Sequence, residues 1–174
     1  MHRRSSLSYS TLSAVAVALA ACGADPTSPA LTTRVVSVVP AGGAIGVDPN
    51  APIVVTFSHP MQAGVEQYAA VHEGDVTGPV VSGTWAWSDD RLTLTFTPAQ
   101  PLRAQTRYTL HLGGGMRATD HGYVDYGPCA TQYGGRWATQ QMMSGGGMMG
   151  GIMMGRGWRH PNGTFGMVFT FTTA

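Results

Sequence analysis

From residue 34 onward, apolar and polar side chains alternate with a period of two, the mark of half-buried strands. RVVSVVP (34–40) reads as a Val-rich first strand. PIVVTFS (52–58) puts Ile53, Val55 and Phe57 on one face, and TWAWS (84–88) does the same for Trp85 and Trp87. RLTLTFT (91–97) points Leu92, Leu94 and Phe96 inward and Arg91, Thr93, Thr95 and Thr97 outward. TRYTLHL (106–112) places Tyr108, Leu110 and Leu112 inside, with Arg107, Thr109 and His111 facing solvent. TFGMVFTFTT (164–173) aligns Phe165, Met167, Phe169 and Phe171. The pattern is weaker over 62–81, where one or two short strands are expected near 68–72 and 79–82. Ser88-Asp89-Asp90 and Pro161-Asn162-Gly163 are turn signals ahead of the strands that follow them.

No stretch carries a 3.6-residue apolar period. Many short strands with frequent turns predict an all-β fold, an antiparallel β-sandwich. The stretch VVSVVPAGGAIGVDPNAPIVVTFSHPMQ resembles the opening of the bacterial Ig-like domain found in S-layer proteins of the SbsA type. The resemblance is carried by Pro40, Gly43, Val47, Ile53, Phe57, Pro60 and Met61, and later by Leu92, Leu94, Phe96, Pro98, Leu102, Tyr108 and Leu110. FGMVFTFTT closes it. It implies an Ig-like sandwich of about seven strands, used as a module in surface proteins and carrying no catalytic residues. Tyr108 follows Leu102 as a tyrosine corner would, so a structural role is expected for it. The domain is expected over 33–174, and its surplus length falls in an insertion at 121–162, before the last strand.

The N-terminus changes the picture of where such a domain sits. Arg3 and Arg4 precede a short apolar run that is far below the roughly 20 residues needed to span a bilayer, so 1–21 reads as a signal peptide. Leu19-Ala20-Ala21-Cys22 resembles the lipobox of bacterial lipoproteins, which implies acylation of Cys22 and a membrane anchor. Gly23 in place of Asp implies the outer membrane rather than the inner one. An ordinary small-residue cleavage site is the other reading. GADPTSPALT (23–32) lacks any apolar period, so 22–32 is expected to be a tether. The chain contains no Lys and has a formal net charge of +1, which offers no basic footprint for nucleic acid. Of the two Cys, a lipidated Cys22 leaves Cys129 without an intramolecular partner.

The insertion holds the unusual chemistry. QQMMSGGGMMGGIMMGRGW (140–158) contains three Met-Met pairs set in glycine. Interior glycines weaken a helix, and adjacent methionines point to opposite faces of a strand, so a loop is expected. Thioether sulfur favours Cu(I) and, by extension, Ag(I). Candidate ligands are Met142, Met143, Met148, Met149, Met153 and Met154, with Cys129, His121 and His160 nearby. The periplasmic copper-resistance sandwiches share a similar P-x-x-G and FS-x-P opening and also use Met and His, although the mature N-terminal His they employ is absent here. The alternatives are a low-complexity loop or an adaptable contact surface. Arg136, Trp137, Arg156, Trp158 and Arg159 would aim such a surface at a glycan or another envelope protein.

Elsewhere, Asp89 and Asp90 fit a turn better than a Ca²⁺ site. His59 reads as a surface residue at a strand end. Asn162-Gly163-Thr164 matches a glycosylation sequon but suits a hairpin turn. No G-x-S-x-G, H-E-x-x-H or Walker pattern is present, so no enzymatic activity is expected. The reading is a lipid-anchored envelope module with a structural or interaction role and no cofactor. The alternative is a soft-metal binder that uses the insertion.

Overall fold

Each alternating segment becomes a strand because one of its faces is buried against a second sheet. A computed structural model describes residues 32–125, 135–138 and 164–174 of the chain. In chain order the strands are β1 (Val35–Val39), β2 (Ile53–Phe57), β3 (Ala69–Glu73), β4 (Gly83–Trp87), β5 (Thr93–Pro98), β6 (Arg107–Leu112), β7 (Gly135–Ala138) and β8 (Thr164–Thr172). They form two four-stranded sheets, ordered β1-β2-β5-β4 and β3-β6-β8-β7. Every ladder is antiparallel. The only helix among the described residues is a single 3₁₀ turn, Val65–Tyr68, that leads into β3.

The expected inward faces supply the core. Ile53, Val55, Phe57, Leu94 and Phe96 from the first sheet meet Tyr108, Leu110, Leu112, Met167, Phe169 and Phe171 from the second, all buried. Full burial of side chains of this size stabilises by about 1.5–3 kcal/mol each relative to exposure. Trp85 and Trp87 share a face as expected and close one side of this core. Trp85 lies 4.7 Å from Phe96, and Trp87 lies 5.8 Å from Phe57, between ring centroids. Met61, Met116 and Met167 are fully buried, the ordinary use of methionine as core filler. In β1 the register shifts between Val35 and Ser37, so Val36 is bulged outward while Val35 and Val38 both reach the core.

The turns follow their side chains. Ser88 N–H donates to Thr93 O at 2.9 Å, and Asp90 accepts from the Ser88 hydroxyl at 2.6 Å and from Leu92 N–H at 3.0 Å. Asp90 is therefore engaged in the hairpin turn. Tyr108 forms the expected corner: its hydroxyl oxygen accepts from Arg103 N–H at 2.8 Å, and its ring stacks on Phe171 at 5.7 Å. Tyr108→Phe should cost about 1–2 kcal/mol, because Arg103 N–H then loses its acceptor. Urea unfolding should show this as a lower midpoint at an unchanged slope.

The structure corrects two expectations. Thr109 and His111 do not face solvent; they are 2 % and 0 % exposed, so β6 is buried on both faces. Arg91 is half-buried rather than outward. It adopts φ 57°, lies over the Trp87 ring at 5.1 Å and donates to the carbonyls of Met61 and Gln62. Of the one or two short strands expected over 62–81, one forms, β3, and the segment 79–82 adds an isolated bridge, His72 to Val80, before β4 begins. The start of β8 pairs with β7, with Ala138 opposite Thr164 and Gly135 opposite Val168. Tyr123 and Val124 instead make isolated bridges to Arg117 and Thr33, and Val124 is fully buried in the core.

Candidate functional site

Two places in this fold carry chemistry beyond packing. The first is the hairpin of β7 and β8. Because Ala138 pairs with Thr164, residues 139–163 leave and re-enter the sheet at adjacent strands. Any function in that connection is presented from the edge of a rigid scaffold, as binding loops usually are. Met142, Met143, Met148, Met149, Met153, Met154 and His160 fall within the connection, and they lie outside the described residues, as do Cys22, Cys129 and the turn at 161–163. His121 is described. It sits at φ 66° on the exposed turn after Ala118, where Gln62 Nε2 donates to its Nδ1 at 2.7 Å. Beside it Arg117 stacks on the Tyr123 ring at 3.9 Å and donates to the Tyr123 hydroxyl. His59 stays at the surface, with Nδ1 2.9 Å from the Ser58 hydroxyl.

The second place is the outer face of the β3-β6-β8-β7 sheet. Ala70 and His72 of β3 lie beside Thr109 and His111 of β6 on this face. Thr109 donates its hydroxyl proton to Gly74 O at 2.6 Å. His72 Nδ1 lies 3.0 Å from Gly78 O. Gly78 belongs to the loop after β3, which is ordered by Asp75: its carboxylate accepts from Thr77 N–H at 2.8 Å and from the Thr77 hydroxyl at 2.5 Å. Those bonds from Thr77 hold the Asp75 carboxyl below its usual range. A cleft of about 290 Å³ opens here, lined by Asp75, Val76, Thr77, Arg107, Thr109 and Val168 among others. The buried His72–His111 pair has no distinctive signal in the sequence. Period-two alternation places both residues on an outward face and gives no sign that this face is covered.

The sheet orders define the class. The first sheet follows the A-B-E-D order and β3-β6-β8 the C-F-G order of a constant-type immunoglobulin sandwich, with β7 added beside the final strand. The chain belongs to the bacterial Ig-like domain family, whose model matches residues 29–133. That match ends before β7 and β8, so the added strand and the connection behind it lie beyond the matched segment.

Among solved structures, the chain is similar to L,D-transpeptidase 1 of Mycobacterium tuberculosis, at 26% identity and TM-score 0.37, over 45% of this chain and 35% of that one. It is also similar to the S-layer protein rSbsC(31-844), at 20% identity and TM-score 0.41, over 55% of this chain and 12% of that one. Alpha-2-macroglobulin of E. coli matches at 17% identity and TM-score 0.41, over 55% of this chain and 6% of that one. The chain thus spans about a third or less of the length of these proteins. No curated protein matches it.

Proposed function

We propose that this chain is a lipid-anchored module of the bacterial cell envelope, held at the outer membrane through Cys22. Its role is to present the 139–163 connection to an envelope protein or glycan rather than to turn over a substrate. The observation that carries the reading is the paired base of that connection: a Gly- and Met-rich segment is mounted on a two-stranded edge of an otherwise complete Ig-like sandwich. Arg156, Trp158 and Arg159 give it the cationic and aromatic groups that bind sugar rings and protein surfaces. The Leu19-Ala20-Ala21-Cys22 motif supports the anchor. A triacylated cysteine holds a protein firmly, since each buried CH₂ contributes about 0.8 kcal/mol and two chains suffice for stable anchoring.

Cys22→Ala should move the protein out of the membrane fraction or arrest its processing. A variant that fractionates with membranes as the wild type does would rule the anchor out. The alternative reading, soft-metal capture by the insertion, rests on the three Met-Met pairs. Exchanging all six paired methionines for leucine separates the two. A contact surface keeps its apolar bulk and largely survives, whereas a thioether site is lost.

A further inference from the structure

The two sheets differ in charge. None of the four strands of the first sheet contains a charged residue. In the second sheet β3 carries Glu73, β6 carries Arg107 and β7 carries Arg136. β1 is an edge of the neutral sheet, with Val39 opposite Val54 in its ladder to β2. Five large hydrophobic side chains are exposed among the described residues, and three of them belong to this edge: Val36 at 50 %, Val39 at 57 % and Ile45 at 83 %.

Ile45 follows a turn closed by Ala44 N–H on Ala41 O at 3.0 Å, which keeps it near the end of β1. No charge interrupts the chain between Arg34 and Asp48. Apolar residues scattered singly over a surface are ordinary, but a group of them on an open strand edge is a place for another surface to settle. What settles there follows from where the chain leads outside the described residues. β1 is the first strand, and the segment 22–32 before it joins it to Cys22, the lipid site of the anchor proposed above, on which this inference rests. Fully extended, that segment reaches at most about 36 Å. The bilayer is therefore never far from β1, and a short tether raises the local concentration to about the millimolar range, so a weak contact suffices.

We propose that the edge formed by Val36, Val39 and Ile45 rests on the lipid surface that holds Cys22. The aliphatic side chains enter the boundary between headgroups and acyl chains, and the neutral strand that carries Val36 and Val39 brings no charge to be desolvated there. Arg34, exposed at the tether end of β1, meets lipid phosphate. The contact is too small to hold the domain on a membrane without the tether. The anchor and the edge therefore act together, one supplying attachment and the other orientation.

The test couples the chain from Cys22 onward, with Cys129→Ser, through Cys22 to a maleimide lipid in vesicles of phosphatidylethanolamine and phosphatidylglycerol. A control chain is coupled to a soluble maleimide. Because the lipid is supplied chemically, the result stands apart from the Cys22→Ala fractionation that decides the anchor itself. Amide hydrogen exchange over 36–47 should slow by about tenfold on the vesicle. Exchange around Val80, which is similarly exposed at 59 %, should not change. Val39→Glu combined with Ile45→Glu should remove the protection while the urea midpoint stays where it was, since both side chains are exposed. Should the double variant fail to fold, Ile45→Glu alone, outside β1, takes its place. An edge that exchanges equally fast on the vesicle and in the control, or equal protection in the folded glutamate variant, would overturn the proposal. So would protection that appears in the soluble control as its concentration rises, which assigns the edge to a second copy of this chain.

Discussion

Replacing Gly166 with alanine is expected to cost at least about 3 kcal/mol, a large share of the 5–15 kcal/mol that holds a typical domain folded. Gly166 has φ +106°, a conformation that side chains with a Cβ rarely adopt. A Cβ there would stand 1.9 Å from Leu112 O, 2.9 Å from its carbonyl carbon and 3.0 Å from Gly113 Cα. These are backbone atoms, so no side chain can swing aside. Relief requires β8 to move away from β6, and the two strands pair continuously from Arg107 opposite Thr172 to Leu112 opposite Met167. Gly43→Ala is the control. It also has a positive φ, +82°, but open space around the position of a Cβ, so it should cost only about 1–2 kcal/mol of backbone strain. Urea midpoints of the two variants give the comparison. Equal losses would mean that the close approach to Leu112 is not what demands glycine.

The second large effect concerns where the insertion can be cut. Replacing 139–163 with Asn-Gly should leave a fully cooperative domain. Ala138 already faces Thr164, and Asn-Gly forms the two-residue turn that suits such a pair. Shortening the loop should add on the order of 1–2 kcal/mol through a smaller closure entropy. Extending the excision to 123–163 should abolish the transition. It removes Val124, which is fully buried, and the bond from Asp125 N–H to Thr33 O at 2.7 Å. It also strips β7 from β8 and bares a long apolar edge that invites pairing between chains. Equilibrium unfolding with size-exclusion chromatography distinguishes the two outcomes. Equal stability of both variants would show that β7 and Val124 contribute nothing to the fold.

Much of this architecture was legible in the sequence because most strands bury one face only. Ile53, Val55 and Phe57, or Leu94 and Phe96, alternate with threonines and valines, and the alternation maps directly onto the core. The tyrosine corner was equally legible, since its spacing from Leu102 is local. The rest depends on long-range contacts. Thr109 and His111 look like solvent positions, and only the folded chain shows them buried. Arg91 looks outward until the turn at φ 57° swings its guanidinium back over Trp87. Gly135-Arg136-Trp137-Ala138 has no strand pattern at all, and it pairs only because β8 offers it an edge. His72 reads as one more strand residue. Its hydrogen-bond partner, Gly78 O, is brought in only by the turn after the strand.

One consequence of the topology reaches back to how the chain acquires its structure. β8 follows every other strand in sequence, yet it sits in the interior of its sheet, between β6 and β7. Its far end also bonds to the loop after β1, through Gly43 N–H to Thr170 O and Ala174 N–H to Val47 O. A nascent chain therefore synthesises seven strands before the keystone of the second sheet exists. Such non-local closure is slow. A chain emerging residue by residue from a ribosome or a membrane pore stays incomplete, and so threadable, until β8 is through.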